Sequence, residues 1–331
     1  MQRISSSRII AGCICAAAAF GAHAQQASAI TAPGGFVTAC ASSNNGAGFW
    51  PGANLANLYG ASNCYSDYIN VATHPTATAP AANGTSTAQG EVSMGAIHMK
   101  ASNNSVNYGF NAGGVNGGWT QRMHATGGTA GTAGYFQYDV QVDGALFAQG
   151  FAGAASVGVA AYKNGALVTQ YLPANAPKII HGANEHPVST SMQYSEWAVS
   201  SSGYFGPSDP YWSASQSFAD TVTFVLPVIY GQDFDLGIYA YALAGMRSAS
   251  GVAGMSTSTV DFWNTIRWGG LHAAYDAQGN LLQGVRLIAS DGTDWTGPYA
   301  APVPEPETYA MMMAGIGLLG WARRRKTDRK A

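Results

Sequence analysis

Charge is scarce in this chain: only 10% of its 331 residues are charged, against about 25% in an ordinary soluble protein. Eight of the fifteen cations sit at the two ends, as Arg3, Arg8, Arg323, Arg324, Arg325, Lys326, Arg329 and Lys330. From Gln25 to Val303 seven cations face fourteen carboxylates, a net of −7. So acidic a stretch excludes a nucleic-acid groove or a patch for anionic membranes. Long amphipathic helices are missing too, since no segment of the body repeats its apolar residues at helical spacing over 12 positions or more. There is no Gly-x-Ser-x-Gly elbow, no phosphate loop and no dinucleotide fingerprint, and the carboxylates are too scattered to pair for glycoside hydrolysis. No catalytic residue, cofactor site or metal site is therefore assigned. What the chain has is 42 Gly, 14 Pro, 47% hydrophobic and 11% aromatic residues, which describes a turn-rich protein with a substantial core.

The two ends read as addresses. Arg3 and Arg8 precede an apolar, small-residue stretch from Ile9 to Phe20, and Ala22-His23-Ala24 stands before Gln25. This is the pattern of a secretory signal peptide over residues 1–24, cut by signal peptidase so that the mature chain begins at Gln25. A rival reading, a lipoprotein box ending at Cys13, leaves only two apolar residues before that cysteine. At the other end, Val303-Pro304-Glu305-Pro306 leads into an apolar run over 309–322, followed at once by Arg323, Arg324, Arg325 and Lys326. As a helix that run rises about 21 Å, short of the roughly 30 Å hydrocarbon core, so it predicts a weak inner-membrane anchor. The cations belong on the cytoplasmic side, which leaves the body in the periplasm. Pro304 and Pro306 lack N–H groups and extend the residues before them, a shape suited to a protease cleft.

This tail resembles the PEP-CTERM sorting signal over residues 303–327, with motif, short helix and basic cluster in order and closely spaced. The resemblance implies a secreted protein of a Gram-negative bacterium, processed at the Pro-Glu-Pro motif by the integral-membrane enzyme exosortase. It also implies a place at the cell surface or in the exopolysaccharide matrix of a biofilm. Upstream, Val260-Asp261-Phe262-Trp263-Asn264-Thr265 resembles the Ala-Asp-Phe-x-Asn-Thr segment common in such proteins, with Val260 in place of the usual Ala. Ser290-Asp291-Gly292-Thr293-Asp294-Trp295 is similar to their polar closing turn. Both imply fold rather than chemistry.

Residues 25–302 read as an all-β body, an antiparallel β-sandwich or jelly roll. Tyr135–Asp143 alternates with period two, placing Phe136, Tyr138, Val140 and Val142 on one face. Segments 156–162 and 166–171 flank Asn164-Gly165, a hairpin turn. Thr221–Tyr230 is almost wholly apolar, and Pro227 sends it to an edge or a bulge. Asp235–Leu243 follows, then 259–268 with Val260, Phe262, Asn264, Ile266 and Trp268 on one face, and then Leu281–Ala289. Residues 135–300 hold these best-defined strands. Residues 31–134 are rich in Gly, Asn and Ser, with strands expected near 91–101 and 104–110, as outer strands and long loops of the same sandwich or as a looser surface layer.

Cys13 and Cys15 leave with the signal peptide, so Cys40 and Cys64 remain as a mature pair for a disulfide in an oxidising compartment, two buried free thiols being the alternative. His181 and His186, five apart in a Gly-containing loop, give no reason for two imidazoles to converge on zinc. Asp291 with Asp294, and Asp233 with Asp235, are close carboxylate pairs that match no calcium loop and read as polar turns. Trp197, Trp212, Trp263 and Trp295 are either core aromatics or platforms for sugar rings. Three function classes stand: a structural surface or matrix protein, a carbohydrate-binding module, and a secreted glycan-active enzyme.

Overall fold

Period-two alternation does what it predicts in the strand that begins at Ala133. In the computed structural model Phe136, Tyr138, Val140 and Val142 are buried on one face while Tyr135, Asp139, Gln141 and Asp143 keep contact with solvent on the other. The structure describes residues 34–42, 63–69, 76–80, 86–105, 112–150, 153–168, 177, 180, 194–200, 213–246 and 256–298. All belong to the first of two compact units, Met1–Pro298; the second, Tyr299–Ala331, holds no described residue.

Every described element is a strand and every pairing is antiparallel. The strands are β1 (Gly34–Ser42), β2 (Asn63–Ile69), β3 (Thr76–Pro80), β4 (Ser86–Ser93), β5 (Ala96–Ser105), β6 (Ala112–Thr126), β7 (Ala133–Gly150) and β8 (Gly153–Lys163). They continue with β9 (Ala166–Leu167), β10 (Tyr194–Ser200), β11 (Ser213–Ile229), β12 (Asp233–Met246), β13 (Ser256–Asp276), β14 (Leu281–Leu282) and β15 (Arg286–Ala289). One sheet has the order β10-β8-β12-β6-β1-β2, with β15 also paired to β6 and β9 to β8. The other has the order β11-β7-β13-β5-β4-β3, with β14 paired to β13.

The two sheets face each other, and consecutive strands lie across from one another: β5 against β6, β7 against β8, β10 against β11, β12 against β13. Numbered one to eight in chain order, these eight strands read 2-7-4-5 in the first sheet and 1-8-3-6 in the second, which is the winding of a jelly roll. Strands β1 to β4 widen both sheets on one side. Between them lies an aromatic core. Trp119 of β6 meets Trp268 of β13 edge-on at 6.2 Å and Trp295 at 5.1 Å, and Trp268 stacks on Tyr138 of β7 at 5.1 Å and 19°. Burial pushes the Tyr138 hydroxyl well above the usual tyrosine range, so it stays neutral.

The Gly-rich stretch departs most from expectation. The segment over 91–101 is two strands, β4 and β5, separated by a tight turn in which Gly95 has φ 88°. The following glycines do not make an outer layer: β6 is interior to its sheet, paired to β12 on one side and β1 on the other. Its glycines are there for clearance. A Cβ at Gly117 would stand 2.8 Å from Val92 Cγ2 of the facing sheet, and one at Gly113 would collide with the Thr87 carbonyl. Leu281–Ala289 is likewise not one strand. Around Gly284 (φ 69°) it leaves β14 on β13 and enters the opposite sheet as β15 on β6. The hairpin at Asn164-Gly165 is as expected, with φ 51° and 76°, and Pro227 lies in β11, an edge strand. Residues 106–110 and 169–171 of the expected strands lie outside the described residues.

The outward faces of the two sheets differ. On the first, Phe36, Tyr162 and Tyr239 are 2%, 3% and 1% exposed, so the sheet is buried on both sides there, while Arg122, His124 and Asp233 at one end of that face are solvated. On the second, the outward residues along β13 are polar and solvated, where Lys100 pairs with Asp261 at 2.9 Å, Arg267 donates to Gln141 and His272 Nδ1 lies 3.2 Å from Asp139, whereas Gln137, Thr223 and Val225 on the β7–β11 part of that face are buried.

Candidate sorting signal and the solvated sheet face

The chain is held to the core almost until the sorting tail begins. Asp291 Oδ1 accepts the Thr293 N–H at 2.9 Å, and Asp294 Oδ1 accepts the Thr296 N–H at 2.9 Å, so the polar closing turn is two consecutive carboxylate-capped turns. Asp294 Oδ2 also accepts from Arg286 at 2.6 Å. The Thr296 and Arg286 hydrogen bonds hold the Asp294 carboxyl down to about 2. Beyond the turn, Trp295 is buried, the Thr296 carbonyl accepts the Leu271 N–H, and Trp268 Nε1 donates to the carbonyls of Trp295 and Gly297 at 2.9 and 3.1 Å. Gly297 is thus tied to the core, and Pro304 follows it by seven positions.

Most residues assigned from sequence lie outside the described residues: Ala22, Ala24 and Gln25 of the leader, His181, His186, Trp212, and the tail residues Val303, Pro304, Glu305, Pro306, Arg323, Arg324, Arg325 and Lys326 with the run 309–322. Cys40 and Cys64 are placed by backbone. They are direct register partners across the β1–β2 ladder, although 23 residues separate them in sequence.

The carboxylate pairs are committed to cations and backbone. Asp235 receives both Nε and Nη2 of Arg122 at 2.9 and 3.3 Å, and Asp233 lies 2.8 Å from His124 Nδ1. Among the described residues no group of three or more His, Cys, Asp or Glu side chains is arranged to hold a metal ion. Trp197 is a core residue, stacked on Phe218 at 5.5 Å with its Nε1 donating to Asp220 at 3.2 Å, and Trp295 is core as well.

Trp263 is different. Of the five described tryptophans, Trp119, Trp197, Trp268 and Trp295 are buried, and only Trp263 keeps solvent contact. It sits in a β-bulge that sequence reading missed. Phe262 pairs with Met99 and Ile266 with Ile97, so four steps on β13 span two on β5. The one signal in the sequence was Asn264, a polar residue where period-two alternation from Phe262 to Ile266 expects an apolar one. The bulge is pinned by side chains: His98 Nδ1 donates to the Trp263 carbonyl at 2.6 Å, and Asp261 Oδ1 accepts the Trp263 N–H at 3.3 Å. On the other flank a Cβ at Gly144 would come within 2.5 Å of the Asp261 carbonyl, so only glycine admits the bulge.

No curated protein and no solved structure matches the chain. The family model of the PEP-CTERM protein-sorting motif matches residues 302–326, one residue upstream of the span read from the motif, helix and basic cluster. Residues 302–326 are therefore a PEP-CTERM protein-sorting motif, and the chain that carries it is targeted for export and exosortase-dependent sorting at a membrane.

Proposed function

We propose that this protein is a structural component of the cell surface or of the exopolysaccharide matrix, and that it is the substrate rather than the agent of its own processing. Signal peptidase cuts after Ala24. The run 309–322 then holds the chain in the inner membrane, with Arg323–Lys326 as stop-transfer charge and the body in the periplasm. An exosortase-like enzyme acts at Val303–Pro306 and passes the β-sheet body outward. The body has no catalytic role in this reading and takes no cofactor. The observation that carries the reading is the sorting motif over residues 302–326.

The test is intact mass and fractionation of the protein from a host with an exosortase and from the same host with that enzyme deleted. A chain starting at Gln25 and ending near Pro304, found only in the first host, supports the reading. An uncleaved chain in the inner membrane of both overturns it and leaves the tail a plain anchor. A second reading, a carbohydrate-binding role in the same matrix, is favoured by Trp263 on the solvated face of the second sheet.

A further inference from the structure

We propose that the bulge at Trp263 is a binding site for a neutral glycan, on the outward face of the second sheet. This rests on the matrix reading above and names the surface by which the body would hold its polymer.

Sheet alternation puts Phe262 and Ile266 into the core, fully buried, and so turns Asp261 and Trp263 outward. The neighbouring strand does the same, with Ile97 and Met99 inward and His98 and Lys100 outward beside them. A tryptophan kept part-exposed on a polar sheet is unfavourable by about the transfer free energy of its exposed area, and the other four described tryptophans are buried. This one is instead fixed there. Its carbonyl is held by His98, its N–H by Asp261, and the His98 ring lies 6.0 Å from the indole. Asp261 in turn is oriented by Lys100 at 2.9 Å, the two side chains being 41% and 49% exposed. These bonds fix the backbone that carries the indole, and a fixed backbone lowers the conformational entropy spent on binding a ligand there.

The chemistry beside the indole selects the ligand class. The apolar C–H face of a pyranose suits an aromatic ring, and its equatorial hydroxyls are donors that a carboxylate such as Asp261 accepts well. Gln89 and Thr87, both exposed on β4, extend the surface with groups that both donate and accept. Among the described residues, Asp261, Glu91 and Asp143 outnumber the nearby cations Lys100 and Arg267, which disfavours an anionic polymer.

The experiment is affinity electrophoresis of the full chain through native gels containing laminarin, dextran, hydroxyethylcellulose or alginate, with Trp263→Ala and Trp263→Phe alongside. The expected result is retardation by at least one neutral polymer, with affinity at least ten-fold lower in Trp263→Ala, about 1.4 kcal/mol, and an intermediate value in Trp263→Phe. Thermal midpoints of both variants should stay within about 2 °C of the parent, because the side chain lies outside the core. No retardation by any neutral polymer, retardation only by alginate, or equal retardation of Trp263→Ala and the parent would each overturn the site. None of these outcomes touches the sorting reading, which the mass of the processed chain decides separately. Equal retardation of variant and parent would leave matrix binding in place at another surface.

Discussion

Cys40 of β1 stands directly opposite Cys64 of β2 in an antiparallel ladder. Directly opposed residues in such a ladder have Cα atoms about 4.5–5.5 Å apart, inside the roughly 4.4–6.8 Å span that a disulfide bridges. The exported protein should therefore carry no alkylatable thiol at either position until it is reduced. Cys40→Ser with Cys64→Ser should lower stability by about 3 kcal/mol, read from urea midpoints of parent and variant without reductant. Two alkylated cysteines in the exported, unreduced protein would refute the pairing.

Trp268 touches Trp119, Tyr138 and Trp295 and ties the segment after the closing turn through the carbonyls of Trp295 and Gly297. Trp268→Ala should cost about 3–5 kcal/mol in urea unfolding, whereas Trp263→Ala should cost well under 1 kcal/mol. Equal losses at the two positions would contradict the division into core and surface tryptophans.

Gly117→Val should destabilise by about 1–3 kcal/mol or more, because its side chain would enter the space of Val92 and the Phe36 carbonyl. Unchanged denaturation would mean that the two sheets do not approach as closely as described.

Asp294 has its folded carboxyl at about 2, held down by Thr296 first and Arg286 second. A depressed acid contributes its stability above the unfolded value of about 3.9, and that contribution disappears as pH falls toward the folded value. The difference in urea midpoint between parent and Asp294→Asn should therefore be constant above about pH 4 and shrink between about pH 4 and 2. A difference that grows as pH falls would have the wrong sign for this carboxylate.

Replacing Glu305, or deleting Arg323–Lys326, should leave the protein membrane-retained or misrouted in a host that processes the parent chain, as read by fractionation and intact mass. Normal release of both variants would remove those residues from the recognition signal.

Local patterns in the sequence were enough for the strand over Tyr135–Asp143, the turn at Asn164-Gly165, the edge position of Pro227 and the sorting tail. Each depends on a property carried by a few adjacent residues: alternation, positive φ, a missing N–H, or an order of motif, apolar run and cations. What surrounded Trp263 was legible only in part, since Asn264, polar where alternation expects an apolar residue, hinted at an irregular strand, but nothing local names His98 as the residue that pins it from 165 positions away.

The tertiary structure decided the rest. Glycines 113 and 117 look like loop residues in isolation, and become the middle of a sheet because the facing layer leaves no room for a Cβ. Leu281–Ala289 reads as one strand, yet divides because β13 and β6, its two partners, lie in opposite sheets. Alternation assigns a residue to a face, and only the pairing of distant strands decides whether that face meets another sheet or water. At the bulge of β13 it meets water, and that is why Trp263 is part-exposed and Trp268, five positions later on the same strand, is the centre of the core.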